Sequence, residues 1–187
     1  MTLPRGFKAM AERESARLRR ELGLGPAAPL GIQDLAAHLT VKIVSADQLI
    51  ALARLEELER IQAFSFSAAT FKIRERDYIV TSPLRTAGRR SSDIAHELAH
   101  MLLKHELSEI REIEGVPFRT CRPDEEEQAT AFGGTIMLPR QLLYAAASRG
   151  HGPAEIAEAN EVTIEMARFR YNTTGVAKQV RHLPARP

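Results

Sequence analysis

The sequence predicts an α+β domain that is mainly helical, in which helices enclose a small antiparallel sheet and a helical subdomain follows at the C-terminal end. Two patterns predict this class. Apolar side chains recur every three or four residues in several segments, as at Ile94 and Leu98, which is typical of helices packed on a core. Over residues 63–83 they alternate instead, as at Phe71 and Ile73, which favours two or three antiparallel strands.

The elements before this sheet follow from the same patterns. Residues 7–22 have the spacing of an N-terminal helix, and the glycines and proline at 23–26 end it. Three further elements are then predicted: a short helix within 29–39, a short strand over 41–45, and a helix over 47–61 with Asp47 as its cap.

Charge gives no strong indication of a nucleic-acid or anionic-membrane partner. Lys and Arg total 26 against 24 for Asp and Glu, so the formal net charge is only +2. The first helix interleaves its arginines with glutamates, which predicts a solvated face rather than a nucleic-acid arm. These arginines are Arg13, Arg17, Arg19 and Arg20.

Cysteine use and hydropathy bear on the compartment. Cys121 is the only cysteine, which excludes an internal disulfide and is typical of a reducing environment. No apolar run approaches the length of a membrane span, and the N-terminus lacks the apolar stretch of a signal peptide. We therefore expect a cytoplasmic protein without a membrane segment.

Residues 91–106, SSDIAHELAHMLLKHE, place two histidines four positions apart on an amphipathic helix that Ser91 or Ser92 can cap. Residues four apart on a helix share one face. His96 and His100 can therefore bind one zinc ion through both imidazoles.

The glutamate directly after the first histidine completes an HExxH motif. Glu97 points about 100° away from His96, so it lies beside the metal rather than on it. A carboxylate there can take a proton from zinc-bound water. The motif predicts a zinc site with Glu97 as the general base.

A catalytic zinc ion typically has three protein ligands, so one more donor is needed. Residues 124–139, DEEEQATAFGGTIMLP, predict a second helix. If the apolar face of this helix is continued towards its N-terminus, either Glu125 or Glu126 lies on that face, while Glu127 points elsewhere. The glycine pair at 133–134 would let this helix approach another backbone closely.

Other side chains are suitable by type but not by position. His105 follows His100 by five residues, which on a continuous helix turns it about 140° away, so we do not expect it to bind zinc. Cys121 could cap the metal as a thiolate in a latent form, but a lone loop cysteine is expected to have no chemical role. Three residues can donate to an oxyanion although no pattern positions them: Tyr144, His151 and Tyr171.

Three segments together resemble the ImmA/IrrE family of bacterial metallopeptidases: SSDIAHELAHMLLKHE, EEEQATAFGGTIMLP and VTIEMARFRYNTTG. The resemblance runs from about residue 29 to about 183. It implies a zincin-like metallopeptidase domain over 29–183, with a C-terminal helical subdomain over 150–183, and leaves 1–28 as an N-terminal helix and extension.

The family segment E-x-x-A-N-x-F-A-A-x-L-L-M-P supplies the third zinc ligand, and its glutamate falls on Glu126. The resemblance thus implies that His96, His100 and Glu126 bind Zn²⁺. This chain departs from the family at Thr130, which replaces an asparagine but can still donate a hydrogen bond. Two alanines of the pattern are glycines here, and the order of leucine and methionine before the proline is inverted.

The resemblance also implies a function. It implies a zinc-dependent endopeptidase that cleaves a helix-turn-helix repressor or other regulatory protein, and so switches on mobile-element or stress-response genes. The alternative is a zinc-dependent sensor or protein-binding module without proteolytic activity. Glu97 favours the enzyme, because a structural zinc site does not require it.

DNA binding through the C-terminal end is the weakest hypothesis. Residues 153–176 have the pattern of a helix, a turn and a second helix. The negative charges of their four glutamates would repel the phosphates of a nucleic acid, so we expect a packing module and no direct nucleic-acid contact. The sequence specifies neither the substrate nor the oligomeric state.

Overall fold

The computed structural model describes residues 3–63, 66–105, 110–113, 116–119 and 122–181. In these ranges the helices are α1 (Phe7–Glu21), α2 (Ile32–His38), α3 (Leu52–Ile61), α4 (Ala87–Leu103), α5 (Pro123–Met137), α6 (Arg140–Ala147), α7 (Pro153–Ala159), α8 (Ile164–Thr173) and α9 (Val176–Arg181). The strands are β1 (Lys42–Ser45), β2 (Ala68–Ile73), β3 (Arg76–Thr81), β4 (Ile110–Ile113) and β5 (Val116–Arg119). The mainly helical α+β class that the sequence predicts is confirmed.

The main sheet has three strands in the order β1-β3-β2. β2 and β3 form the expected antiparallel hairpin, with Thr70 opposite Ile79. β1 joins on the other side parallel to β3, so the sheet is mixed rather than wholly antiparallel. The alternation of apolar residues sets which face of a strand is buried but not its direction, and β1 is separated from β3 by α3 and β2. A separate antiparallel pair, β4 and β5, follows α4 and precedes α5 along the chain.

Helix α4 begins earlier than the sequence predicts. The hydroxyl oxygen of Thr86 accepts a backbone N–H from the first turn at 3.3 Å and is the cap. Ser91 and Ser92 are buried within the helix instead. Ser92 Oγ accepts the backbone N–H of Thr163 at 3.0 Å, so this serine joins α4 to the residue before α8.

The helix predicted over 47–61 begins only at Leu52. Asp47 lies inside a short 3-10 helix, Ala46–Gln48, where its carboxylate accepts a hydrogen bond from the Ser45 hydroxyl. Local bonds of this kind compete with a regular helix, so Asp47 is not the cap of α3.

The main hydrophobic core lies between α4 and α5 and includes α1. Phe7 and Leu18 of α1 pack in one cluster with Leu98 of α4 and Phe132 of α5. The sequence predicts that residues 1–28 form an N-terminal helix and extension. In the structure their helix supplies one wall of this core.

One arginine of α1 is buried, contrary to the expectation of a solvated face. Arg19 is 1% exposed, and its guanidinium donates to the carbonyl oxygens of Ala28 at 2.7 Å, Ile136 at 3.0 Å and Met137 at 3.1 Å. The last two belong to the final turn of α5, where carbonyls have no partner within the helix. Burial lowers the pKa of Arg19 to about 10, which leaves it charged at neutral pH.

The predicted helix, turn and second helix near the C-terminus are present as α7 and α8. The turn between them packs directly on α4, since a Cβ on Gly88 would lie 2.8 Å from the carbonyl oxygen of Val162. Arg170 of α8 is buried, and it donates to the Leu138 carbonyl at 3.1 Å and to Glu12 of α1 at 2.7 Å. No helix in the described ranges is long and apolar enough to span a bilayer.

The Arg19→Met variant is expected to lower the free energy of unfolding by about 3 kcal/mol, because the carbonyl oxygens of Ile136 and Met137 would stay buried without this donor. Urea denaturation followed by circular dichroism measures this change. Arg20→Met, on the exposed side of the same helix, is the matched control and should change the free energy by less than about 0.5 kcal/mol. Equal losses in the two variants would contradict the capping role of Arg19.

Candidate metal centre

Helix α4 brings the two histidines of the HExxH motif together. Its apolar side, with Ala95 and Leu98, is fully buried in the core, and the histidines lie on the adjacent face. The Nε2 atoms of His96 and His100 are 3.0 Å apart, and their ring centroids are separated by 4.7 Å. Both rings therefore direct the same nitrogen towards one point.

A carboxylate of α5 meets this pair. Glu126 places Oε2 3.1 Å from Nε2 of His96 and Oε1 3.4 Å from Nε2 of His100. Contacts with His100 first and His96 second hold the pKa of Glu126 well below its usual range. Glu125, the other residue that the helical face allows, pairs instead with Arg122 at 3.2 Å.

The close approach of α4 and α5 makes this contact possible. A Cβ on Gly133 would lie 2.8 Å from the carbonyl oxygen of Ala95 and 3.1 Å from the backbone nitrogen of His96. The missing side chain allows the α5 backbone to lie against the histidine-bearing turn of α4. This agrees with the role expected of the glycine pair.

The donor set fits a zinc ion. Tetrahedral zinc with ligand bonds of about 2.0 to 2.1 Å has its ligand atoms about 3.3 Å apart. The two Nε2 atoms are 3.0 Å apart, and the carboxylate of Glu126 approaches them at 3.1 Å through Oε2 and at 3.4 Å through Oε1. Two imidazoles and one carboxylate are also a donor set typical of catalytic zinc sites. Among the described residues these three form a group able to hold a metal ion.

Glu97 lies beside the cluster and is held by the sheet. Its side chain is buried, at 6% exposure, and the hydroxyl of Thr70 donates to its Oε2 at 2.5 Å. Thr70 belongs to β2, one of the two edge strands of the main sheet, and precedes Glu97 by 27 residues. The sequence prediction missed Thr70, because no local pattern links a strand threonine to a helix so far along the chain.

The cluster opens into a cleft of about 570 Å³. His96, Glu97 and Glu126 line it together with parts of four elements. β2 and the residue before it contribute Ser67 and Ala68; α4 contributes Arg89 and Asp93; α5 contributes Gly133 and Gly134; α8 contributes Met166 and Phe169. The cleft therefore adjoins both the start of β2 and helix α8.

His105 is closer to the site than the sequence predicts. The prediction assumed a continuous helix, but α4 ends at Leu103 and Lys104 takes a left-handed conformation with φ 56°. The chain turns back, and Nδ1 of His105 comes to lie 3.0 Å from Nδ1 of His100. This is the ring nitrogen that faces away from the cluster, so His105 lies behind a proposed ligand.

Of the remaining candidates that the structure describes, Thr130 is the one that reaches the cluster. Thr130 places its hydroxyl oxygen 3.4 Å from Nδ1 of His96. Cys121 is outside the described residues. The three candidate oxyanion donors, Tyr144, His151 and Tyr171, are not among the residues that line the cleft.

Comparison with known protein families identifies the fold. A model of the IrrE N-terminal-like domain matches residues 53–172. The chain belongs to this family of metallopeptidases. The matched segment begins in α3 and ends in α8, so it contains the whole cluster and every residue of the cleft. Among curated proteins, no sequence matches the chain.

In this IrrE N-terminal-like domain, Gly133→Ala is expected to lower the free energy of unfolding by about 1 to 2 kcal/mol, because the new methyl group meets the backbone of α4. Urea denaturation measures the loss. The control is Gly25→Ala, where a Cβ would have nothing within 4 Å. It should change stability by less than about 0.5 kcal/mol. A Gly133→Ala variant as stable as the wild type would show that the two helices can separate without cost.

Proposed function

We propose that this IrrE N-terminal-like domain is a zinc-dependent endopeptidase that cleaves a regulatory protein, with a helix-turn-helix repressor as the expected substrate. One observation supports the proposal best. The nitrogens of His96 and His100 and the carboxylate of Glu126 converge at ligand spacing in a cleft that a buried carboxylate, Glu97, also lines.

In this proposal His96, His100 and Glu126 hold the zinc ion. The ion, when bound, supplies Lewis acidity that polarises the scissile carbonyl and acidifies water. The protein keeps its ligands pre-arranged by helix packing, so little reordering is needed when the metal enters. A carboxylate as third ligand also offsets part of the charge of the dication.

Glu97 acts as the general base. It takes the proton of the attacking water and passes it to the leaving amine as the peptide bond breaks. A base must keep one orientation to serve both transfers. Burial and the hydrogen bond from Thr70 provide this restraint.

A substrate segment in extended form would pair with the free edge of β2. In the main sheet β2 has a strand on one side only, and Ala68 at its start lines the cleft. Main-chain hydrogen bonds to an edge strand give affinity, and pockets for alternate side chains give specificity. The pairing would lay the substrate backbone alongside Glu97.

The proposed partner rests on the family resemblance. A repressor is an intracellular substrate, in keeping with the cytoplasmic location expected from the single cysteine. Direct nucleic-acid contact through α8 is not part of the proposal. Met166 and Phe169 of that helix line the cleft, while Ala167 and Arg170 are buried against the rest of the domain.

The sensor or binding-module alternative uses the same ligands without hydrolysis. It differs from the proposal only in what Glu97 does. Two measurements therefore separate the possibilities, one on the metal and one on the product.

The first concerns zinc content. Purified wild-type protein should carry about one zinc ion per chain by elemental analysis, and Glu126→Ala should lose most of it because one of three ligands is gone. Glu125→Ala and Glu127→Ala are the matched controls and should keep their zinc. Zinc retained by Glu126→Ala but lost from Glu125→Ala would move the third ligand to the neighbouring residue.

The second concerns cleavage. Glu97→Gln should keep its zinc and lower the cleavage rate by about 10² to 10⁴-fold, because the amide cannot accept the proton. Each zinc-loaded protein is incubated with a protein extract of the source cells, and new N-termini are identified by mass spectrometry. Cleavage at the wild-type rate by Glu97→Gln would refute the base. Zinc binding with no new N-termini from the wild type would favour the sensor.

A further inference from the structure

His105 lies where a partner for a metal-binding histidine is needed. The left-handed residue Lys104 ends α4, and the amide of His105 donates to the carbonyl of His100 at 3.0 Å. This turn folds the His105 ring back onto His100, with centroids 5.0 Å apart and an interplanar angle of 72°. A left-handed conformation is unfavourable for a lysine, so the turn is held by its surroundings.

The two rings meet through one specific pair of atoms. Nδ1 of His105 lies 3.0 Å from Nδ1 of His100, which is hydrogen-bond distance. Two neutral imidazole nitrogens form such a bond only when one carries a proton and the other presents its lone pair. The contact therefore constrains the tautomers of both rings.

The cluster determines which ring donates. Nε2 of His100 faces His96 and Glu126, so a metal ion there requires its lone pair at Nε2. The proton of neutral His100 must then be on Nδ1. His105 must accept it, and carries its own proton on Nε2.

Metal-binding histidines generally donate their second ring N–H to a nearby acceptor, which fixes the tautomer and the ring plane. His96 has the hydroxyl of Thr130 at 3.4 Å from its Nδ1. For His100 the group in that position is an imidazole. The 3.0 Å between the Nδ1 atoms of His105 and His100 is shorter than the 3.4 Å between Thr130 and His96.

We propose that His105 is a positioning residue, whose Nδ1 accepts the Nδ1 proton of His100 and so holds Nε2 of His100 towards the metal. This inference rests on the proposed metal site. It assigns His105 neither a ligand role nor a catalytic one.

Two variants separate this role from simple packing. His105→Phe keeps a flat ring against His100 but has no acceptor. His105→Asn loses the ring but can place an amide oxygen near the position of Nδ1. The acceptor role and the packing role therefore predict opposite rankings of the two variants.

The measurement is the zinc affinity of each protein, from competition with a chromophoric chelator, together with the urea midpoint of the metal-free form. His105→Phe should bind zinc about 10 to 100-fold more weakly than the wild type, the usual cost of losing such a partner. His105→Asn should recover most of this loss. His38→Phe, which replaces a histidine on α2 that contacts Glu21, is the control and should bind zinc like the wild type.

Three results would overturn the inference. Wild-type affinity in His105→Phe would show that no acceptor is needed. Weak binding in His105→Asn alone, with a lowered urea midpoint, would mean that the ring serves packing. A wild-type protein that binds no zinc would refute the metal site itself. That failure is distinguishable from failure of the His105 role, because it is seen in the wild type before any variant is compared.

Discussion

The contact between α4 and α5 is the constraint on which the candidate site depends. Two of the proposed ligands lie on one helix and the third on the other, so their spacing is set by the separation of two backbones. Because Gly133 has no side chain, the two backbones lie so close that a Cβ at this position would be 2.8 Å from the carbonyl oxygen of Ala95. Cores do not deform continuously, so such a contact fixes its neighbours closely. The geometry of the cluster is a property of helix packing more than of any loop.

Two buried arginines secure the far end of α5. Arg19 comes from α1 and Arg170 from α8, and they donate to successive carbonyls at 136, 137 and 138. Helix ends need such donors when they are buried. The N-terminal helix and the C-terminal helix pair thereby hold the same element from two sides. Parts of the chain remote from the HExxH motif in sequence thus contribute to placing Glu126.

Local pattern predicts the helices and the two histidines because helical spacing alone places residues four apart on one face. It narrows the proposed third ligand only to Glu125 or Glu126, since both lie near the edge of the apolar face. The family resemblance favours Glu126, and in the fold Glu126 contacts the two histidines. The expected direction of the His105 side chain is wrong because nothing in the sequence marks the helix end: the left-handed position holds Lys104, where glycine is usual. That His105 does not bind zinc stays a prediction. Burial of Arg19 could not be predicted either, because two of its three acceptors, Ile136 and Met137, lie more than a hundred residues away.

The bond between Thr70 and Glu97 couples the edge strand to the proposed base. Neighbouring residues of a strand are about 3.3 Å apart and point to opposite faces. A peptide that paired with β2 one residue out of register would move its bond by that distance relative to Glu97, too far for direct proton transfer. In the proposed pairing, β2 would therefore set the position of the substrate relative to Thr70, the residue that also orients the carboxylate of Glu97. Selection of the bond to be cut would depend on where a target segment begins to pair, as well as on which side chains it carries.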